Sequence, residues 1–318
     1  MKAGFLVPAS TTNLGPGFDC LGIALALYNR FEAELAPEWS FSARGIGAHE
    51  LAGQDRNLVI DAMRTVFSEV GRPELAARIS SEIAVPLANG LGSSSTALVG
   101  GMLLARELLA RQGLAAGPTD ERLLELLTQA EGHPDNVAPA LMGGFTLCWS
   151  ADDLRCVSIK PAVGLAAVVV PSRRELATSE ARRVLPDTVA RADAVYNLSH
   201  TALLVAALLD GHPDVLREAT TDKLHEPYRA TLIKDFAALR EALLQVGCDG
   251  AFLSGAGPTV AGLVLACDDA TALERAQAIA EVFNAGVGAT FPDRAEALAL
   301  AIAREGAMRI DDAALSDD

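Results

Sequence analysis

A strand-like run, Arg78–Val85, leads into Pro86-Leu87-Ala88-Asn89-Gly90-Leu91-Gly92-Ser93-Ser94-Ser95, and an apolar helical pattern follows from Thr96 to Gln112. No other stretch constrains the fold so strongly. The first run alternates as a half-buried strand does, and the last is long enough for a full helix. Between them, glycines let the backbone turn sharply and come close to a bulky anion. Three serines then present hydroxyls and unpaired N–H groups at a helix N-terminus, where the macrodipole favours negative charge. One serine there would be an ordinary helix cap. Gly-Leu-Gly-Ser-Ser-Ser exceeds what a cap needs, and the segment from Pro86 to Ser95 reads as a phosphate cradle.

Two familiar phosphate motifs are excluded. A P-loop needs a lysine, and the four lysines are Lys2, Lys160, Lys223 and Lys234, none of them near the cradle. The dinucleotide fingerprint needs a third glycine, but Ser95 follows Gly90-x-Gly92 and Val260 follows Gly255-x-Gly257 at that spacing. The cradle therefore works with backbone, hydroxyls and a metal ion where a P-loop uses lysine.

Three further segments carry clustered polar groups. Pro8–Asp19 holds Ser10, Thr11, Thr12, Asn13 and Asp19 around Gly15-Pro16-Gly17. Leu253–Thr259 is a second glycine loop, with Ser254, Gly255, Gly257 and Pro258. Glu131-Gly132-His133-Pro134-Asp135-Asn136 places two acids, an imidazole and an amide just past a helix. Each glycine loop alone is a turn, and His133 alone a structural histidine. Such density between apolar helices marks a site.

At 318 residues, half of them hydrophobic and 21% charged, the chain can fill about two domains. The net charge of −15 and the lack of a basic stripe argue against nucleic-acid binding. Leu203–Leu209 and Val163–Val170 are core-length runs, so no membrane span is expected, and the start, Met1-Lys2-Ala3-Gly4-Phe5, enters a short strand-like run without a signal-peptide h-region or cleavage site. The five cysteines form no CxxC pair and read as mostly buried free thiols in a reducing cytoplasm. The five histidines show no zinc spacing.

Strands are expected at Gly4–Ala9, Leu21–Leu27, Arg30–Leu35, Gly143–Trp149, Gly164–Val170, Ala251–Ser254, Val260–Cys267 and Gly288–Phe291, with Ser10–Asp19 as a loop. Helices are expected at Asn57–Val70, Glu121–Glu131, Thr178–Leu185, Val189–Leu209, Asp214–Thr220, Asp235–Val246 and Ala270–Asn284. The acidic tail, Asp311–Asp318, is expected to fray. Strands and helices mix without strict alternation, which favours two α+β domains over a doubly wound sheet.

Together these loops resemble the three motifs of the galactokinase, homoserine kinase, mevalonate kinase and phosphomevalonate kinase (GHMP) superfamily. Within it, Ser10-x-x-Asn13-Leu14-Gly15-x-Gly17-Phe18-Asp19 and His133-Pro134-Asp135-Asn136-Val137-Ala138-Pro139 resemble the homoserine kinases. So do Glu180–Pro186 and Asp222–Arg229. The likeness runs from about residue 5 to 300, with small departures at Thr12, Thr96 and His200.

The resemblance implies a fold. Residues 1–160 would form an N-terminal domain of the ribosomal S5 domain 2-like type, with a left-handed βαβ crossover. Residues 161–305 would form a ferredoxin-like domain, and 306–318 the tail. It also implies ATP-dependent phosphorylation of L-homoserine, with Mg²⁺ on Ser94 and Glu131. Glu125, on the same helix, is the alternative carboxylate. Asn57, with Leu58 and Val59, is the candidate for the adenine pocket. Arg182 and Arg229 would hold the substrate carboxylate and Asp19 its ammonium. Asn13, His133 and Asn136 would surround the hydroxyl, with Thr178 and Gly257 completing the substrate site. Asn136 stands where related kinases place an aspartate, so no general base is obvious: either the hydroxyl attacks while losing its proton late to the γ-phosphate, or another group such as Asp135 helps. Many members are dimers, which makes a homodimer an expectation of the resemblance alone.

Overall fold

The computed structural model describes residues 1–51, 57–150, 154–161 and 164–315. The first half supplies six strands of a seven-stranded sheet. Strand β1 (Lys2–Thr12) pairs antiparallel with β2 (Leu21–Ala36), which in turn pairs with β4 (Ala76–Ile83). Strand β3 (Ser40–Gly45) lies parallel to β4, and the chain between them passes through α1 (Ala48–Leu51) and α2 (Leu58–Glu69). The hairpin β5 (Phe145–Ser150) and β6 (Leu154–Ile159) joins the start of β2. Three more helices, α3 (Ser93–Arg111), α4 (Asp120–Glu131) and α5 (Val137–Met142), complete the layer.

One face of this sheet is buried. Phe31 and Ile79 pack with Met63, Phe67, Val99 and Met102 of α2 and α3. On β4, Arg78, Ser80 and Glu82 alternate outward, as the period of two requires.

The second half runs β7 (Gly164–Val170), α6 (Thr178–Arg183), α7 (Arg191–Asp210), α8 (Leu216–Ala219), α9 (Glu226–Arg229) and α10 (Phe236–Gln245). It continues as β8 (Gly250–Leu253), β9 (Val260–Ala266), α11 (Asp269–Ala285) and β10 (Leu298–Ala301). The sheet order β10-β7-β9-β8 is antiparallel throughout. This β-α-β-β-α-β succession is the ferredoxin-like pattern. Helices α10 and α11 cover one face. The other face packs Leu165, Ala167 and Val169 with Leu14, Leu21 and Phe145 of the first domain. Burial on both faces explains why β7 is apolar at every position.

Several expectations are corrected. Strands β3, β6, β10 and β11 (Met308–Arg309) were not foreseen, and β1 extends through Thr12 into the expected loop. Val287–Thr290 is a 3₁₀ turn packed against α11, not a strand. The chain recrosses to the first domain before residue 305, since Ala303 N–H bonds Ala24 O and Ile302 bridges Leu25. The tail is held as far as it is described: β11 pairs with β1, and Arg111 binds Asp312 at 2.7 Å. Its last three residues, 316–318, lie outside the described residues. Cys148 and Cys156 are not free thiols but form a disulfide, because the β5–β6 register sets them opposite with Cα atoms 4.1 Å apart. Of the free thiols only Cys248 is buried, and burial pushes its pKa up to about 12. Helix α7 is apolar and long enough to cross a membrane, but its inner face carries Asn197 and Thr201, both bonded to Pro16 O.

Candidate active site

The cradle, the Pro8–Asp19 loop and the Leu253–Thr259 loop close on one cleft of about 240 Å³. They are stitched together by backbone and small hydroxyls. Ser254 Oγ donates to Gly90 O at 2.6 Å and lies 2.8 Å from Thr11 Oγ1. Gly255 N–H bonds Thr12 O, and Ser10 N–H bonds Leu91 O. Asn89 spends its amide on Ser172 and Thr259, which fixes the cradle to the second domain. Gly90 and Gly92 have φ of +79° and +72°. A Cβ on Gly90 would sit 2.3 Å from Ser254 O, and one on Gly92 2.2 Å from Ser10 Oγ. Only glycine fits either place.

Gly92 is also the N-cap of the 19-residue α3, with no side-chain cap. The N–H groups of the first turn are thus left for an anion. Ala88 to Gly90 and Gly92 to Ser94 line the cleft, whereas Pro86, Leu87, Leu91 and Ser95 do not.

Glu131, the last residue of α4, reaches this helix end. Its Oε1 accepts from Ser94 Oγ at 2.9 Å and Ser95 Oγ at 3.0 Å. A hydroxyl and a carboxylate converging beside a phosphate cradle fit the hard-oxygen demands of Mg²⁺. No three His, Cys, Asp or Glu come together among the described residues, so such an ion would take a minority of its ligands from the chain. Glu125 points elsewhere and binds Arg122 at 2.7 Å, which also holds Glu69. Asn57 is not at the cleft either; its Oδ1 caps α2 by accepting from Val59 and Ile60 N–H.

The opposite wall is charged. Arg182, on α6, makes a two-pronged bond to Asp19, at 2.8 and 3.1 Å. Asp19 stands at φ +57°, and its N–H is held by Asn13 Oδ1 at 2.9 Å. Asn13 Nδ2 donates to Gly255 O, so Asn13 ties two loops together while still lining the cleft. Arg229 is 1% exposed. Its guanidinium donates to Ala181 O, Gly255 O and His225 Nδ1. Burial, with the nearby Arg182 charge, lowers its pKa to about 10.

Sequence reading missed the groups behind Arg229. His225 is wholly buried, with Nε2 2.9 Å from Gly15 O and Nδ1 3.1 Å from Arg229 Nη1. These partners require the neutral Nε2–H tautomer. Burial brings its pKa down to about 4. Asp222 accepts from the N–H groups of Leu224, His225 and Glu226, which fixes the turn into α9. Phe18 stacks on His225 and lies under both guanidinium groups, 5.8 Å from Arg182 and 5.3 Å from Arg229. The run Asp222–Arg229 was visible as a motif, but nothing in it showed that His225 faces Gly15.

Between the two walls, His133 Nδ1 lies 2.5 Å from Asp135 Oδ1. Burial works against its charge, but Asp135 and the field of Glu131 outweigh that and raise its pKa. Asn136 accepts from Ser10 and donates to Thr12, so it acts as an anchored amide. Thr178, Ala177 and Gly257 line the same cleft. A larger hollow, about 360 Å³, lies on the outer face of the first sheet. Its charges pair across strands, as in Arg44–Glu82 and Arg78–Glu34, and it holds none of these residues.

Comparison with known proteins agrees with this arrangement. Residues 57–144 match the GHMP kinases N terminal domain and residues 204–289 the GHMP kinases C terminal domain. A homoserine kinase of Synechococcus sp. is 40% identical over 312 residues, covering 95% of this chain and 96% of its own. One from Desulfitobacterium hafniense is 40% identical over 262 residues, 81% of this chain and 86% of its own. The crystal structure of homoserine kinase from Cytophaga hutchinsonii superposes with a TM-score of 0.81 at 27% identity, covering 97% of both chains. An L. major mevalonate kinase, at 15% identity and a TM-score of 0.68 over 95% and 96% of the two chains, shares the fold.

Proposed function

The chain belongs to the homoserine kinase family of the GHMP kinases, and on that premise we propose that it transfers the γ-phosphoryl group of ATP to the side-chain hydroxyl of L-homoserine. One observation carries the reading: a carboxylate and two guanidinium groups face a phosphate cradle across a single cleft. A zwitterion asks for that set. Asp19 meets the α-ammonium, and Arg182 and Arg229 meet the α-carboxylate by their planar donors. Arg229 supports this most directly. It is a buried cation whose hydrogen bonds go to two carbonyls and an imidazole. A buried charge of that kind is costly unless an anion completes it.

Phosphoryl transfer is mainly positioning and charge neutralisation. The N–H groups at the start of α3 and the hydroxyls of Ser93 and Ser94 receive the triphosphate. Ser94 and Glu131 would hold Mg²⁺, which supplies neutralisation of the phosphate charge. His133 and Asn136 orient the substrate hydroxyl for in-line attack on the γ-phosphorus. The O–P bond to the new acceptor forms as the bond to the ADP oxygen breaks. An amide takes no proton at neutral pH, so the hydroxyl proton leaves late, to an oxygen of the transferred group. ATP is a cytoplasmic metabolite, and we place the enzyme there.

The test is ADP release with homoserine, mevalonate, galactose, serine and 3-aminopropan-1-ol as acceptors. Homoserine should lead, and the amino alcohol, which lacks the carboxylate, should trail it by about 10²-fold or more in kcat/KM. An enzyme that takes the amino alcohol as well as homoserine, or prefers mevalonate, is a different small-alcohol kinase.

A further inference from the structure

Strand β1 ends in the cleft, and its period of two sorts three consecutive hydroxyls. Thr11 turns one way and meets Ser254 Oγ at 2.8 Å. Ser10 and Thr12 turn the other way and bracket Asn136. Ser10 Oγ donates to Asn136 Oδ1 at 2.8 Å, and Asn136 Nδ2 donates to Thr12 Oγ1 at 3.2 Å. Both residues are fully buried, but of the two only Thr12 lines the cleft. A hydroxyl has one hydrogen to give and two lone pairs to accept with. Ser10 spends its hydrogen on Asn136. Thr12 accepts from Asn136, so its own hydrogen is kept, and no group among the described residues accepts it. A buried donor left without an acceptor is costly, and a ligand in the cleft can supply the acceptor.

Position says which ligand atom that is. A Cβ on Gly92, the N-cap of α3, would stand 3.1 Å from Asn136 Oδ1. One on Gly255 would stand 3.5 Å from Thr12 Oγ1 and 3.3 Å from Gly90 O. The Thr12 hydroxyl thus sits where the cradle glycines, the Leu253–Thr259 loop and Asn136 meet, at the seam between the phosphate end and the amino-acid end. A phosphoryl group moving from one end to the other crosses this seam. No lysine lines the cleft, and its two guanidinium groups are already bonded to Asp19, Ala181, Gly255 and His225. The group in transit therefore depends on short N–H and O–H donors.

We propose that Thr12 is a catalytic residue whose hydroxyl donates to a non-bridging oxygen of the phosphoryl group as it passes from ATP to the acceptor alcohol. In a loose transition state the charge is spread over the equatorial oxygens. A fixed donor aimed at one of them stabilises the transfer more than it stabilises bound ATP. Asn136 occupies one lone pair of Thr12 Oγ1, which leaves the hydrogen to turn toward the cleft. Thr12 keeps its proton throughout, and the proton of the acceptor hydroxyl still goes to the transferred group. The proposal rests on the proposed function for the presence of a phosphoryl group, and not for the identity of the acceptor.

The test compares Thr12→Val, which keeps the β-branched shape, with Thr12→Ala and Thr12→Ser, using the acceptor that ADP release ranks first. Thr12→Val and Thr12→Ala should each lower kcat by about 10–100-fold, with KM for ATP and for the acceptor within about twofold. Thr12→Ser keeps the hydroxyl and should hold kcat within about threefold. Affinity for ADP with aluminium fluoride, a mimic of the phosphoryl group in flight, should fall in Thr12→Val by about the factor lost in kcat, while affinity for ADP alone stays unchanged. If Thr12→Val loses its native circular dichroism, Thr12→Ala carries the test. A kcat within about twofold of wild type in the folded variant overturns the proposal. A higher KM for the acceptor at unchanged kcat also overturns it, because Thr12 would then only steady Asn136. Thr12→Ser as slow as Thr12→Val would reduce the residue to packing. An acceptor other than homoserine in first place overturns the proposed function and leaves the Thr12 comparison to be read with that alcohol. A chain that phosphorylates none of the acceptors overturns both.

Discussion

At the Gly90–Ser95 end of the cleft the polar groups are backbone N–H and short hydroxyls, set by glycines that no other residue can replace. At the Asp19–Arg182–Arg229 end they are long charged side chains, set by other side chains. The first end is rigid because its geometry is the chain's own path. The second is rigid only through its supports: Asn13 under Asp19, His225 beside Arg229, Phe18 beneath both guanidinium groups. Loss of one hydroxyl at the first end leaves the backbone donors in place. Loss of one support at the second should loosen a whole subsite.

The comparison should break most visibly at Glu131, the carboxylate that accepts from Ser94 and Ser95 at the cradle end. Glu131→Gln should lower kcat by about 10²–10³-fold, the scale of several kcal/mol of charge stabilisation, and excess Mg²⁺ should recover part of it. Glu125→Gln should stay within about twofold, since that carboxylate is taken up by Arg122. A larger loss from Glu125→Gln would move the metal ligand.

A smaller effect is expected from Arg229→Lys and Arg182→Lys. Each should raise KM for homoserine by about 10–100-fold and leave KM for ATP within about twofold, because a lysine keeps the charge but not the fork. Equal losses for both substrates would mean that the two ends are not separable. Asp19→Asn should follow the same split.

Smaller again, and sharper as a test of support, is His225→Asn. The variant removes the bond to Gly15 O without touching substrate. KM for homoserine should rise by about 5–20-fold with kcat and KM for ATP held. A fall in melting temperature with unchanged KM would show that His225 only packs.

The slightest signal is thermal. Glu226 is fully buried and burial raises its pKa to about 8, against 4.5 for the free side chain. The folded state then keeps a proton that the unfolded state gives up. Stability contributed there is present at low pH and is lost as pH rises toward 8. His225 carries the opposite sign, but its loss is confined to pH below 6.5. Between pH 6.5 and 8, wild-type melting temperature should therefore fall more steeply than that of Glu226→Gln. Parallel slopes in the two proteins would mean that Glu226 is ionised throughout.

The phosphate end was legible in the sequence because it is local: Gly90 to Ser95 and α3 are consecutive. The charged end was only partly so. Asp19, Arg182 and Arg229 come from three separate segments, and the Asp19–Arg182 pair and the burial of Arg229 beside it are facts of tertiary contact. His225 and Phe18 left no spacing signal, since neither repeats at a helical or strand period. The misread elements share a cause. Strands β3, β6, β10 and β11 are short and partly exposed, so their apolar alternation is weak. The Cys148–Cys156 disulfide was missed with β6, the strand whose register creates it.

Strand β11 leaves a consequence for synthesis. Phe5 pairs with Arg309, so the outer edge of β1 waits through most of translation before its neighbour exists. Domains commonly fold in the order in which they leave the ribosome. Here the first domain emerges with an open sheet edge, the kind of edge that recruits foreign strands. Completion of that sheet depends on the second domain having folded well enough to return the chain at Ile302 and Ala303. Nascent chains halted before residue 300 should therefore be the aggregation-prone species, and a holdase chaperone should act on them rather than on the finished enzyme.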